Sequence, residues 1–167
     1  ALVGWAQVQL DSEDVSKNVA NLIGNCLASG SVSGTQQVGG LVGLNDGKTD
    51  KDTLFSIASS VNKAAFSGTV TGIHQTGGLV GKNNGTITQG EASGTAKTEE
   101  GAANVATIGG LAGDNTGSIY DSNADVDVSG INVVGGFVGY SDGIIKNAYS
   151  TGNVQGSSYV GSFAGSI

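Results

Sequence analysis

The chain has 167 residues, of which 30 are glycine, and aromatic and charged residues make up only 5% and 13% of it. Fourteen acidic residues and seven lysines leave a net charge of −7, which disfavours binding to nucleic acid or to an anionic membrane surface. Because bulky core side chains are scarce, the chain needs very regular packing to fold.

A nine-residue motif recurs through the chain and gives the main structural signal. It reads GGLVGLNDG from Gly39, GGLVGKNNG from Gly77, GGLAGDNTG from Gly109 and GGFVGYSDG from Gly135. We therefore predict one repeat domain, 1–167, with units of about 1–38, 39–76, 77–108, 109–134 and 135–160 and a partial unit at 161–167. Because the chain begins and stops inside a motif, we expect it to be a fragment of a longer protein.

Each unit is predicted to contain three short strands separated by turn residues, for example at 38–42, 117–122 and 150–156. A sandwich or barrel gives every strand different neighbours, whereas repeated units favour identical neighbours in a stack. The sequence therefore predicts an all-β protein that forms a parallel β-solenoid (β-helix) of about five coils. Two insertions are expected in the first coils.

Each position of the motif has an expected structural role. One apolar column is predicted from Leu41, Leu79, Leu111 and Phe137, and a second from Val42, Val80, Ala112 and Val138. Because side chains alternate along a strand, one of the two columns faces outward unless a bulge at the paired glycines intervenes. At the following turn we expect amide hydrogen bonds along a column of Asn45, Asn83, Asn115 and Ser141. A positive φ that closes this turn is predicted for Gly47, Gly85, Gly117 and Gly143.

The pattern GGLVGxNxGxIxxxxAxGxV resembles the GLUG motif, a repeat of bacterial and archaeal surface proteins. The likeness is close over residues 39–167 and looser over 1–38. Proteins with this motif include large adhesins and the repeat regions of some IgA-cleaving metallopeptidases. The resemblance implies display on a β-helical rod, outside the cell or at its surface, and it supplies no ligand and no catalytic residues.

Two insertions of about a dozen residues, within 9–21 and 48–59, interrupt equivalent points of consecutive units. Helical spacing suggests a helix in the first through Val15, Val19, Leu22 and Ile23, capped by Asp11 or Ser12. In the second, Asp52 is a candidate cap for a turn with Leu54, Phe55 and Ala58. The insertions either cover an apolar side of the first coils or form a binding lobe. A third insertion at 97–103 is predicted to be a solvated loop.

We expect no catalytic residues, no cofactor and no metal site. GGLVG is a poor phosphate loop because no helix pattern follows it. The only histidine, His74, is predicted to be an exposed turn residue, and Cys26 a small buried hydrophobe, since it aligns with Ala64, Ser122 and Ala148. Alternating acids in DSNADVD (Asp121, Asp125 and Asp127) offer calcium-type ligands and a formal carboxylate pair, but a solvated outer face is favoured.

The leading functional prediction is a non-enzymatic extracellular rod of an adhesin-like surface protein, which presents or spaces binding surfaces. Its expected partner is a glycan or protein on a host or neighbouring cell, and the candidate ligand surface comprises Trp5, Tyr140, Tyr149 and Tyr159. The alternatives are a filament subunit that associates end to end, or the non-catalytic stalk of a larger secreted peptidase. Ice binding is disfavoured because the sequence has no regular threonine ladder. The amides of the uncharged run at 18–45 argue against a membrane span.

Overall fold

A computed structural model describes residues 3–7, 22–49, 56–57, 60–102 and 106–167. Within these residues the regular structure consists of β-strands, and parallel pairing joins equivalent strands of successive units into three sheets, here called A, B and C. Because each coil lies against the next, every sheet runs along the stack in chain order. The predicted parallel β-solenoid is confirmed.

The three sheets form the faces of the coil. Sheet A consists of β1 (Val3–Gln7), β4 (Val42–Asp46), β9 (Val80–Asn83), β13 (Ala112–Asn115), β17 (Val138–Ser141) and β22 (Ala164–Ser166). Sheet B consists of β2 (Leu22–Gly24), β7 (Ser60–Asn62), β10 (Thr86–Thr88), β14 (Ser118–Tyr120) and β18 (Ile144–Lys146). Sheet C consists of β3 (Leu27–Gly39), β8 (Ala65–Gly77), β11 (Glu91–Thr98), β12 (Thr107–Gly109), β15 (Asn123–Ser129), β16 (Val133–Gly135), β19 (Tyr149–Thr151), β20 (Val154–Gln155) and β21 (Val160–Gly161).

The double glycine lies at the corner between sheets C and A, and not inside a strand. The single strand predicted at 38–42 was therefore wrong: β3 ends at Gly39, and β4 begins at Val42. The corner is tight, because a Cβ at Gly77 would lie 2.7 Å from the backbone nitrogen of Gly113. The bend also turns both Leu41 and Val42 into the interior, where each is fully buried, so neither apolar column faces outward.

Between sheets B and C the chain turns through a residue with a left-handed backbone. It occurs once per coil, with φ between 50° and 54°, at Asn25, Lys63, Gln89, Asp121 and Asn147. This corner ends β14 at Tyr120, before the predicted end at residue 122. In the last coil, Gly152, with φ of 103°, separates β19 from β20 where one strand was predicted at 150–156.

The left-handed corner leads to a stability prediction. Asparagine tolerates this conformation better than lysine does. We expect Lys63→Asn to raise the free energy of unfolding by about 0.5 to 1 kcal/mol, measured by urea denaturation. The control, Lys97→Asn, places the same change in the extended strand β11, where asparagine is unfavourable, and should leave stability unchanged or lower it. A gain in stability of equal size in both variants would show that the left-handed backbone of Lys63 is not the cause.

The interior is filled by columns of apolar side chains. The register joins Ile23, Val61, Ile87, Ile119 and Ile145 in one column, and Val32, Val70, Ala96, Val128 and Val154 in another. The column of Leu41, Leu79, Leu111 and Phe137 is fully buried, and the ring of Phe137 stacks on Phe163 with centroids 4.8 Å apart. Equivalent positions of successive coils therefore fill the interior as continuous apolar columns.

A buried ladder of asparagines runs beside the apolar columns. Asn45 Nδ2 donates to Asn83 Oδ1 at 2.6 Å, and Asn83 Nδ2 donates to Asn115 Oδ1 at 2.7 Å. Asn115 Nδ2 then donates to Ser141 Oγ at 3.0 Å. Successive residues of the ladder are 38, 32 and 26 positions apart in the sequence. One side-chain hydrogen bond therefore connects each coil to the next, although the repeat units differ in length.

The motif's last glycine is required for a different reason than predicted. Gly47, Gly85, Gly117 and Gly143 lie outside the left-handed region, so the predicted positive φ was wrong. A Cβ at Gly117 would instead collide with the carbonyl oxygen of Gly85 and lie 2.8 Å from the carbonyl carbon of Asn84. Glycine is needed here because the backbones of adjacent coils approach too closely for a side chain.

The first two insertions link neighbouring strands of sheets A and B. Residues 8–21 join β1 to β2, and the segment after β4 leads to β7. Because β1 pairs with β4 and β2 pairs with β7, the two insertions belong to neighbouring coils. In the second segment, β5 (Lys48–Thr49) pairs antiparallel with β6 (Ser56–Ile57). Leu22 and Ile23 lie in β2 and not in a helix. The other positions of the predicted helices lie outside the described residues: Asp11, Ser12, Val15, Val19, Asp52, Leu54, Phe55 and Ala58.

Candidate functional site

The outer face of sheet C carries the most regular array of polar side chains. In β15, Ala124, Val126 and Val128 point into the core, whereas Asp125 and Asp127 are exposed. The register extends this alternation to the neighbouring coils. We define the hydroxyl face as the three outward columns Ser29/Ser67/Ser93/Asp125/Thr151, Ser31/Thr69/Thr95/Asp127/Asn153 and Ser33/Thr71/Lys97/Ser129/Gln155.

Sequence reasoning missed this face because it looked for threonine alone. Serine and threonine alternate with small or apolar residues in ASGSVSG, FSGTVTG and ASGTAKT, which is the period of a strand with one polar face. Serine and threonine together occupy three or more of the five positions in each column.

The acidic residues of β15 are bound to the next coil. Asp125 Oδ1 accepts a hydrogen bond from Thr151 Oγ1 at 2.7 Å. Asp127 Oδ1 accepts from the backbone nitrogen and from Nδ2 of Asn153, at 2.8 and 3.0 Å. In the described part of the chain, no group of three or more His, Cys, Asp or Glu residues is arranged to hold a metal ion.

An open groove of about 500 Å³ crosses the hydroxyl face at its border with sheet B. Its lining includes Leu27, Ser67, Glu91, Asn123 and Asp125, which come from four successive coils. Leu27 is 82% exposed, which is unusual for a large apolar side chain. A smaller groove of about 320 Å³ continues round the corner past Lys63 and Gln89.

The predicted aromatic ligand surface is not a single cluster. Trp5 lies in β1, opposite Leu44, and Tyr140 lies in β17, opposite Asp114, so both belong to sheet A. Tyr159 precedes β21 and is 73% exposed, with φ of 46°. Tyr149, which is 60% exposed, follows Asn123 in the sheet C register and lies beside the hydroxyl face.

The structure also places His74, Cys26 and the third insertion, which the sequence analysis considered individually. His74 lies half-buried within β8, opposite Gln36, so the prediction of an exposed turn residue was wrong. Cys26 is half-buried at the corner between sheets B and C, and its Sγ donates to the carbonyl oxygen of Gly24 at 3.2 Å. Glu99 and Glu100 of the third insertion are exposed, whereas residues 103–105 lie outside the described part.

A charged cluster joins sheets A and C. Gln75 Nε2 donates to Asp114 Oδ2 at 2.8 Å, and Lys82 Nζ lies 3.6 Å from the same oxygen. Asp114 is almost completely buried. The contacts link neighbouring coils, and we interpret the cluster as a structural clamp.

The comparisons with known proteins agree with the repeat architecture. The GLUG motif matches residues 130–155, a stretch that contains β16 to β20 and has the length of one complete coil. No curated protein and no solved structure is significantly similar to the chain. No helix of the described residues is long and apolar enough to span a bilayer. The chain therefore contains a GLUG motif at residues 130–155, within a repeat that folds as a parallel β-solenoid.

Proposed function

We propose that the chain is a non-enzymatic rod of an adhesin-like protein, exposed outside the cell, which holds the hydroxyl face available to a glycan or protein on another surface. The observation that carries this proposal is the alignment of outward polar side chains over five consecutive coils of sheet C. A regular array of this kind is a suitable platform for an extended partner.

The solenoid suits this role because its coils repeat at about 4.8 Å, so five coils span about 25 Å with nearly constant side-chain spacing. The asparagine ladder and the apolar columns stabilise the stack from inside. Outward positions are therefore free to vary without loss of the fold. The net charge of −7 favours solubility and disfavours nucleic acid as a partner.

We also propose that the chain has no catalytic activity. Asp125 and Asp127 make hydrogen bonds to the following coil, which gives these carboxylates a structural role. His74 lies within a strand of sheet C, away from these acids in the coil register. The chain matches the GLUG motif at residues 130–155. The extracellular setting is what the resemblance to repeats of surface proteins implies.

Localisation provides the direct test. An antibody against the purified chain should label intact cells that produce the protein, and protease added to those cells should remove the signal. A cytosolic protein of the same cells, probed in parallel, should resist the protease. Labelling only after the cells are broken would contradict the proposal.

A second measurement separates a display rod from a filament subunit. Light scattering over a range of concentrations, with electron microscopy of the same samples, should show a monomer at every concentration. Ordered fibres would favour the self-stacking alternative instead.

A further inference from the structure

We infer that the groove on the hydroxyl face binds a neutral glycan chain that lies along the rod axis. This inference rests on the proposed function, since it specifies the partner of the same face. The groove is lined by residues of four successive coils, and its volume of about 500 Å³ lies within the range of ligand pockets in proteins.

The groove exists because outward side chains are small at the middle of this surface. Ala65 lies between Leu27 and Glu91 in the register, so a small residue separates two larger ones along the stack. In the next column, Ser67 and Ser93 are small as well. Small side chains therefore line the middle of the groove, with Leu27 and Glu91 in the coils on either side of Ala65.

The chemistry of the lining matches a sugar. Asn123 supplies an amide donor and acceptor, three serines supply hydroxyls, and Asp125 and Glu91 supply strong acceptors. Asp125 is held by the hydrogen bond from Thr151, which orients its carboxylate before a ligand binds. Exposed Leu27 offers an apolar surface for the C–H groups of a sugar ring. A sugar presents hydroxyl donors, acceptors and apolar patches together.

The charge of the groove selects against acidic glycans. Glu91 and Asp125 both line it, and no lysine is among the described residues that line this larger groove. A sulfated or carboxylated chain would bring like charges together. A polyamine would pair with the carboxylates but, unlike a sugar chain, would offer no acceptor to the Asn123 amide. A neutral chain fits both sets of groups.

The direction of binding follows from the register. Leu27, Ala65, Glu91, Asn123 and Tyr149 form one continuous column. Their spacing of about 4.8 Å per coil is close to the length of one sugar ring in a linear chain. Tyr149 lies one coil beyond Asn123, where its exposed ring provides a stacking surface for a further sugar.

Affinity gel electrophoresis of the 167-residue chain tests this inference, with xyloglucan, glucomannan or a soluble β-glucan in the gel. Alginate and chitosan serve as anionic and cationic comparisons. We expect at least one neutral polymer to slow migration, and Ser67→Tyr, which fills the groove, to weaken that binding about tenfold or more. Ser31→Tyr places the same ring on an exposed position of the same face outside the groove and should bind normally.

A second pair of variants tests the role of the carboxylate without a change in size. Asp125→Asn should weaken binding to the neutral polymer severalfold, whereas Asp127→Asn, two residues along the same outward face, should not. Far-UV circular dichroism confirms that each variant is folded. The inference is overturned if no neutral polymer retards the chain, if only alginate or chitosan does, or if both members of either pair behave alike.

These outcomes are separate from those of the localisation test. A surface-exposed chain that ignores neutral glycans would leave the display rod standing and remove the glycan site. A chain found only inside cells would reject the display rod whatever the gels show.

Discussion

Gly81→Ala should destabilise the chain by about 4 kcal/mol or more, enough to leave it largely unfolded at room temperature if its stability is typical. Gly81 lies in β9 of sheet A, where the strand packs directly on the backbone of β3. A Cβ there would lie 2.6 Å from both the Gly43 carbonyl oxygen and the Val38 nitrogen, and would also meet the carbonyl carbon of Gln37. All three are backbone atoms, so relief requires movement of the stacked coils themselves.

The first coil offers a matched control for this prediction. Gly4 occupies the same motif position, because Val3 pairs with Val42. Among the described residues, no atom lies within 4 Å of a Cβ built at Gly4. Gly4→Ala should therefore stay within about 0.5 kcal/mol of the unchanged chain. Urea denaturation followed by far-UV circular dichroism measures both. Equal midpoints for the two variants would show that sheets A and C do not pack closely at Gly81.

Asn83→Ala should lower the free energy of unfolding by about 3 kcal/mol. Asn83 is fully buried at the middle of the ladder, where it accepts from Asn45 and donates to Asn115. Alanine removes both hydrogen bonds and leaves polar atoms of the two neighbours buried without these partners. Each such group costs about 1 to 3 kcal/mol.

The adjacent residue provides the control. Asn84 also bridges coils, donating to Asp46 Oδ1 at 3.0 Å and accepting from Thr116 Oγ1 at 2.8 Å. It is only half-buried, so water can replace these partners when they are lost. Asn84→Ala should cost less than about 1 kcal/mol in the same urea experiment. If the two alanine variants lose the same stability, burial is not what makes the inner ladder important.

The two predictions concern different properties of one motif. Gly81 allows sheets A and C to approach closely, and Asn83 satisfies polar groups within the stack. Neither residue faces the groove. The hydroxyl face can therefore change its ligand preference without any change in the positions that maintain the coil.

The repeat itself was readable from the sequence. Because equivalent residues of successive coils contact each other, the same side chains recur at each rung, and the columns of Leu41 and Asn45 follow from alignment alone. The all-β class and the parallel stacking follow for the same reason, since only a stack gives each repeat identical neighbours.

Only the tertiary structure decided where the chain turns and what faces outward. The chain bends at Gly40 between β3 and β4, so the alternation of side chains along one strand could not show that both apolar columns are buried. Gly117 is required by the backbone of another coil, which local turn rules do not describe. The groove likewise arises because coil stacking places Ala65 between Leu27 and Glu91, residues that lie far apart along the chain. The sequence alone determined which positions repeat, and the three-dimensional packing decided which of them meet at each corner and on each surface.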